Sequence, residues 1–421
     1  MKKGIDAVIK TYFLSVMFLM YYFITQETSV GGIGITLRHV FALLLIVSAF
    51  VYFLFSPDIA RGAVTVKSSL VFAVPLAITL VSSMLVWVIE KSAASTIARG
   101  LSSSIIYMNV ISCSLAAGSV LYVFGEYGIW FNLAAIVASN LVMIFQIILS
   151  DGAGTFFLEF VRLVATFASD TGETIVKAEI HELAFCLGAY IIYMLIKPKK
   201  KVWFWVLFAL ACFCFIAALK RIAVIAIFAA VSIRLLLLLP GIISQKAVSR
   251  TANGMMILCI LLLVGYIYII SADAFTYLEK AGIDTSGRAN IYSYVKDFYT
   301  FSPLFPGRGI GFLTYQLYEK TSIGVSSVHN DFLQFYIDLG FWGYILWLIS
   351  MTLLRTMYFG KNDADTAAVT AALTVYLLIV SSTDNTMNYP LVTTVMGVLI
   401  MGNGFGKKVE AQQKYFESRP V

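Results

Sequence analysis

The stretch "SSVHNDFLQFYIDLGFWGYILW" (326–347) passes within six residues from a polar lip to an almost continuous apolar run. His329, Asn330 and Asp331 stand at the junction, and His329 is one of only three histidines in the chain. A polar segment feeding straight into a run of spanning length marks a chain that re-enters a lipid bilayer. The fold then turns on whether the rest of the sequence is of the same kind.

It is. The 421 residues are 60% hydrophobic and 13% charged, against about 25% charged in soluble domains. The expected fold is all-α, a single polytopic membrane helix bundle over 1–421 with about twelve transmembrane helices. Spans are expected at 9–25, 36–55, 68–89, 101–123, 129–149, 180–196, 202–219, 221–239, 254–271, 333–354, 365–382 and 389–405. The first of these is read as a span rather than a signal peptide, because no small-residue cleavage site follows it. Five cysteines all lie in apolar runs without metal or redox spacing and are read as small buried hydrophobes.

The net charge of +7 reports topology in such a chain, and no basic stripe interleaved with aromatics points to nucleic acid. With the N-terminus inside, inner segments hold 18 of the 30 Lys and Arg. Five of the outer ones fall in one long loop, which votes poorly on orientation. Both termini are therefore expected in the cytoplasm. Lys91 and Arg99, in a short outer loop, are the weakest point of this topology. Two outer segments exceed ordinary connections. Residues 150–179 carry a Phe- and Leu-rich run suited to an interfacial amphipathic helix. Residues 272–332 form a large periplasmic loop, rich enough in Tyr, Phe and Leu to be structured. The end, 407–421, reads as a solvated cytoplasmic tail.

Candidate chemistry clusters on the outer side. "FIAALKRIAVIAIFAAVSIRL" (215–235) places Lys220 and Arg221 between two apolar runs, a costly position that defaults to function; two snorkelling side chains are the plainer alternative. Arg221 offers a planar fork suited to phosphate, Lys220 only a point charge. "SGRANIY" (286–292) puts Arg288 at a helix start, with Ser286 or Asp284 as its cap. "FPGRGIGF" (305–312), with Arg308 between glycines, reads as a tight turn before a phosphate cradle. "AEIHELAFCLGAYIIYML" (178–195) brings His181 and Glu182 to the bilayer lip, where they serve as interface anchors or accessory contacts. It lacks the second histidine of a zinc motif. "STDNTMNYP" (382–390) reads as a structural turn. His329, taken alone, is more often structural than catalytic.

Taken together, these motifs resemble the bacterial O-antigen ligase and O-antigen polymerase superfamily. "HNDFLQFYIDLGFWG" (329–343) is similar to the family's histidine segment. Arg221 and Arg288 occupy positions like its two outer arginines, and "GRANIYSYVKDFYTFSPLFPGRGIGF" (287–312) is similar to the stretch that follows the second. The likeness covers roughly 205–350. Lys220 departs from the small polar residue that many members place before the arginine.

The resemblance implies a GT-C-like glycosyltransferase of the bacterial inner membrane, working on its outer face without a metal or other cofactor. The donor and acceptor would be undecaprenyl diphosphate-linked oligosaccharides, and a chain-length regulator is a possible partner beside the membrane lipids. His329 would be the base. Arg221, Arg288 and Lys220 would bind the diphosphate, with Arg308, Asn330, His181 and Glu182 as accessory residues. The polymerase reading is preferred. A ligase transferring the glycan to lipid A–core shares the chemistry, and a lipid-linked oligosaccharide flippase is the rival from another class. A flippase would show paired repeats and broken helices, and no repeat is visible in the sequence.

Overall fold

A computed structural model describes residues 2–23, 29–30, 35–91, 94–166, 180–282, 285, 287–319, 328–361 and 363–418. Helix α1 (Lys2–Tyr22) leads through a two-residue ladder, Ser29–Val30 on Ile35–Thr36, to α2 (Leu37–Phe55). There follow α3 (Ile59–Ile89), α4 (Ala94–Phe124), α5 (Gly128–Asp151), α6 (Ala153–Thr166), α7 (His181–Ile196), α8 (Val202–Ala217) and α9 (Arg221–Leu236). Next come α10 (Leu238–Ile243), α11 (Gln245–Ser271), and the short α12 (Ala274–Lys280), α13 (Arg288–Val295) and α14 (Phe312–Glu319). Helix α15 (Asp331–Ile349) runs through a wider π turn into α16 (Arg355–Gly360), and α17 (Ala364–Ser381), α18 (Pro390–Gly402) and α19 (Phe405–Glu417) complete the chain.

Among the described residues, five stretches are long and apolar enough to cross a membrane: Ile59–Ile89, Val110–Asp151, Gln245–Ser271, Asp331–Gly360 and Ala364–Ser381. Four more helices are apolar but shorter, among them His181–Ile196 and Pro390–Gly402. With this composition the chain is an integral membrane protein.

Lipid gives helices no hydrophobic reason to associate, so close packing and buried polar contacts must hold them. The Tyr21 hydroxyl donates to Asn132 Oδ1 at 2.8 Å, and Asn132 Nδ2 donates to the Tyr190 hydroxyl at 2.8 Å, tying α1, α5 and α7 together. Gly188 admits Tyr376, which donates to the Phe185 carbonyl at 2.9 Å; a Cβ there would lie 2.3 Å from the tyrosine oxygen. Three of the five cysteines are buried, and none of the five forms a disulfide.

The expected continuous span over 333–354 is not what forms. In a straight helix residues twelve apart stand about 18 Å apart along the axis. Yet the rings of Phe335 and Trp347 are 4.4 Å apart, and those of Tyr336 and Tyr344 are 5.6 Å apart. Helix α15 therefore doubles back at Gly340, whose φ of 71° is open only to glycine at ordinary cost. The first arm, 331–339, rises about 13 Å to the turn and the second arm descends beside it. From Gly340 onward the twenty residues to Gly360 still suffice to cross.

A broken helix exposes backbone groups that lipid cannot satisfy. Here "FPGRGIGF" supplies the partners. The N–H groups of Arg308 and Gly309 donate to the carbonyls of Ile337 and Asp338, both at 2.8 Å, and the Phe341 N–H donates to the Phe305 carbonyl at 3.0 Å. Gly307 and Gly340 meet back to back, since a Cβ on Gly340 would lie 2.3 Å from the Pro306 carbonyl carbon. The glycine-rich turn is thus a strap across the break.

Within the 272–332 loop, α12, α13, α14 and the strap are described, while Asp284, Ser286 and 320–327 lie outside the described residues. Within 150–179 lies α6, with Phe156 and Leu163 buried and Phe157, Leu158 and Val161 exposed. Residues 167–179 lie outside the described residues, and most of the 407–421 tail is helical in α19.

Candidate functional site

Helices α7, α9, α13 and α15 all begin, and α17 ends, at one end of the bundle. The loop 382–389, between α17 and α18, closes over that end. Asp331 fastens it: its Oδ2 accepts from Thr386 Oγ1 at 3.0 Å and from the Met387 N–H at 2.9 Å. Arg288 holds the other side, donating to the Thr383 carbonyl at 2.9 Å. Between these anchors the loop presents Asp384.

Asp384 is the hub of the cluster. Its carboxylate lies 3.2 Å from Lys220 Nζ and 3.6 Å from His181 Nδ1, and it accepts from the Asn385 N–H at 2.8 Å and the Tyr389 hydroxyl at 3.1 Å. Lys220 Nζ also lies 3.0 Å from His181 Nδ1. Burial pushes the Asp384 carboxyl up, but Lys220, the Asn385 N–H and His181 together outweigh it, so it stays below the usual carboxylate range. Lys220 is thereby committed to an internal ion pair. Arg221, the first residue of α9, is exposed at the same lip.

His329 occupies the turn that enters α15, between buried Val328 and buried Asn330. Its φ of 50° is left-handed, a conformation in which histidine is enriched over most side chains. Asn330 sets this geometry. Its Oδ1 accepts from the N–H groups of Phe332 and Leu333 at 3.1 and 3.2 Å, an N-cap. Its Nδ2 donates to the hydroxyls of Tyr292 and Tyr266 at 2.9 and 3.1 Å. Although exposed, His329 is backed by protein, and this desolvation lowers its pKa below the ordinary histidine value. Asp384 opposes the shift, while Arg288, Lys220 and His181 reinforce it. All four groups act on one imidazole, which is therefore neutral at pH 7.

The arrangement attracts anions for a second reason. The N-cap residues of α7 and α9, Ile180 and Lys220, offer no side-chain acceptor to the first turn. Helix N-termini left in that condition carry partial positive charge and favour phosphate. Chemically the cluster can hold a multiply charged anion beside a neutral imidazole able to accept a proton.

Other expected site residues have different places. Glu182 is buried and accepts the Leu391 N–H at 2.8 Å, closing the start of α18. Arg308 belongs to the strap, with Nε donating to the Phe298 carbonyl at 3.0 Å and Nη1 3.8 Å from Glu90. The sequence reading takes the turn that holds Asp384 as structural and gives Asp331, beside His329, no role of its own. An acid in the last polar turn is the one local sign of the first, and the second reads as an ordinary first-turn helix acid. Among the described residues no group of His, Cys, Asp and Glu is arranged to hold a metal.

No curated protein matches the chain. Residues 206–348, about a third of its length, match the family model described as O-Antigen ligase. That segment runs from α8 through the second arm of α15 and contains Lys220, Arg221, Arg288, the strap and His329. Over that segment the chain is similar to the O-antigen ligase family, which supports the resemblance to the O-antigen ligase/polymerase superfamily, whose members are glycosyltransferase-like enzymes.

Proposed function

We propose that the protein is an O-antigen or capsular-type polysaccharide polymerase, moving a growing glycan from undecaprenyl diphosphate to a sugar hydroxyl of another lipid-linked repeat unit. The observation that carries the reading is the convergence of a neutral histidine, two arginines and two helix N-termini without side-chain caps on one recessed lip. The acceptor hydroxyl gives its proton to His329 as its oxygen attacks the anomeric carbon. The bond from that carbon to the diphosphate oxygen breaks, and its electron pair leaves with the diphosphate. In-line displacement inverts the anomeric centre. Arg221 and Arg288 stabilise the charge growing on the leaving group, and Lys220, held by Asp384, adds to the field. In this reading the bundle makes twelve crossings of the inner membrane with both termini cytoplasmic, and 272–332 forms the catalytic loop on the outer face.

The ligase reaction shares every one of these steps and differs in the acceptor. A glycan ladder from a deletion strain separates the two. Loss of the ladder with one repeat unit still on lipid A–core supports the polymerase. Loss of all attached repeats, with polymer held on the carrier, replaces it with the ligase. Lipid-linked units trapped on the inner leaflet would mean a flippase. The break in α15 is a transporter-like feature, but the strap closes it with backbone hydrogen bonds.

The pH profile tests the base. A histidine whose pKa is lowered in the folded protein is deprotonated at neutral pH, so kcat/KM should stay flat through pH 7 and fall only below the ordinary histidine range. Bound diphosphate adds negative charge beside the ring and favours its protonated form. The acid limb of kcat should then lie at higher pH than that of kcat/KM. Asp384→Asn removes a charge that raises the His329 pKa and should shift the kcat/KM limb to still lower pH while lowering kcat. An unmoved limb in that variant would separate Asp384 from His329.

A further inference from the structure

Beneath Thr386 and Met387, an interior space of about 20 Å³ lies among α3, the second arm of α15, α17 and α18. A single water needs about 10–15 Å³, so the space suits a particle a little larger than water and is too small for phosphate or a carboxylate. Phe72, Leu76, Trp347, Met351 and Met396 make its walls largely apolar. Among the described residues Arg355 is the only charged side chain of the lining, which holds no carboxylate.

Arg355 opens α16 directly after the π turn Ser350–Leu354, inside the spanning stretch Asp331–Gly360, and is 4% exposed. A guanidinium stays charged at every physiological pH. Charge inside a membrane bundle is costly and is normally paired. Two contacts spread this charge without cancelling it. One N–H donates to the Phe72 carbonyl, and the guanidinium lies over the Phe72 ring at 3.9 Å. Its Nε has no hydrogen-bond partner, and no carboxylate comes within ion-pair range among the described residues. Asp331 is joined to the outer rim of the space through Thr386 and the Met387 N–H, which its Oδ2 accepts, but it does not line it. Thr393 lines the same space and has a hydroxyl that can rotate toward an acceptor. A small, negatively charged acceptor satisfies both groups and offsets the charge. Glycosyl transfer makes no use of Arg355.

We propose that this space holds a monovalent anion of the halide class, chloride at physiological salt, as the counter-ion of Arg355. The ion neutralises the guanidinium where the second arm of α15 meets α3 and α18. A water molecule fits the same space but leaves the charge uncancelled. The inference does not rest on the glycosyl-transfer reading, and its test does not read glycan.

The test is thermal unfolding of the purified full chain in phosphatidylcholine nanodiscs, with sodium gluconate replaced stepwise by sodium chloride or sodium bromide at constant ionic strength. Gluconate carries the same charge and is too large for the space. Chloride and bromide should each raise the unfolding temperature along a saturating curve. Arg355→Met, uncharged and similar in reach, should lose that curve and unfold at one temperature in all three salts. Thr393→Val should weaken the apparent affinity by roughly tenfold, the worth of one hydrogen bond to a charged group. Lys200→Gln, which removes a charge from an exposed position, should leave the curve unchanged. Where Arg355→Met does not fold, Thr393→Val decides: a weakened curve supports the proposal and an unweakened one overturns it. Equal unfolding temperatures of the wild type in gluconate and chloride overturn it in favour of a bound water only. So does a halide response that survives Arg355→Met, or one that Lys200→Gln weakens as much as Thr393→Val, either of which would mean binding at the surface.

Discussion

His329→Ala is expected to abolish the long-chain glycan while leaving the protein in the membrane at normal abundance. A positioned general base contributes about 10²- to 10⁴-fold to rate, and a chain-building enzyme compounds that deficit at each addition. The side chain is exposed, and surface changes of this kind usually cost within about 0.5 kcal/mol. The left-handed backbone at position 329 asks for a second variant. His329→Asn tolerates the same φ yet has no group able to accept a proton at neutral pH. Both variants should lose the ladder together. A normal ladder in either would remove the imidazole from the chemistry, and loss only in the alanine variant would make the residue a backbone device.

Gly340→Ala is expected to be the most damaging change outside the cluster. The new Cβ would press on the main chain of Pro306 and Gly307, which no rotamer change relieves. A left-handed backbone with a side chain adds roughly 1–2 kcal/mol, and overpacking a close contact typically costs about 1–3 kcal/mol more. Three hydrogen bonds that close the helix break depend on the same approach. The variant should unfold in detergent well below the wild-type temperature, with Gly307→Ala close behind. The change should also lower activity in whatever fraction folds, because the arm that ends at His329 swings about this turn. Wild-type thermal stability for Gly340→Ala would refute the fold-back.

Much of this architecture is legible from apolar periodicity alone, because helices need only local information. The helices α2, α7 and α8 lie within a residue or two of the stretches expected for them. The break in α15 is different. "DLGFWG" continues an apolar helix by pattern, and its interruption depends on a glycine pair brought together across thirty-three residues of sequence. Asn330 was readable as a cap, standing before Asp331 and an apolar run, but a family likeness drew it toward chemistry. Lys220 and Arg221 stand side by side in sequence, and both read as diphosphate ligands there. Only the arrival of Asp384, from a loop more than 160 residues later, assigns the lysine to an internal pair. Charge pairs of that kind leave no periodic trace.

The helices that carry the cluster are also short. Those of α7 and α9 have 16 residues and that of α18 has 13, against 31 in α3 and α4. The sixteen residues of α9 span about 24 Å, under the ~30 Å hydrocarbon thickness. Such a hydrophobic mismatch is accommodated by local thinning of the bilayer or by tilting of the neighbours. The leaflet should therefore dip beside α9, where Ile225 and Phe228 are exposed, carrying headgroups down toward Arg221 and His329. A lipid-borne diphosphate would then reach the cluster along the membrane surface without leaving its depth in the leaflet, and activity should decline as the surrounding acyl chains are lengthened.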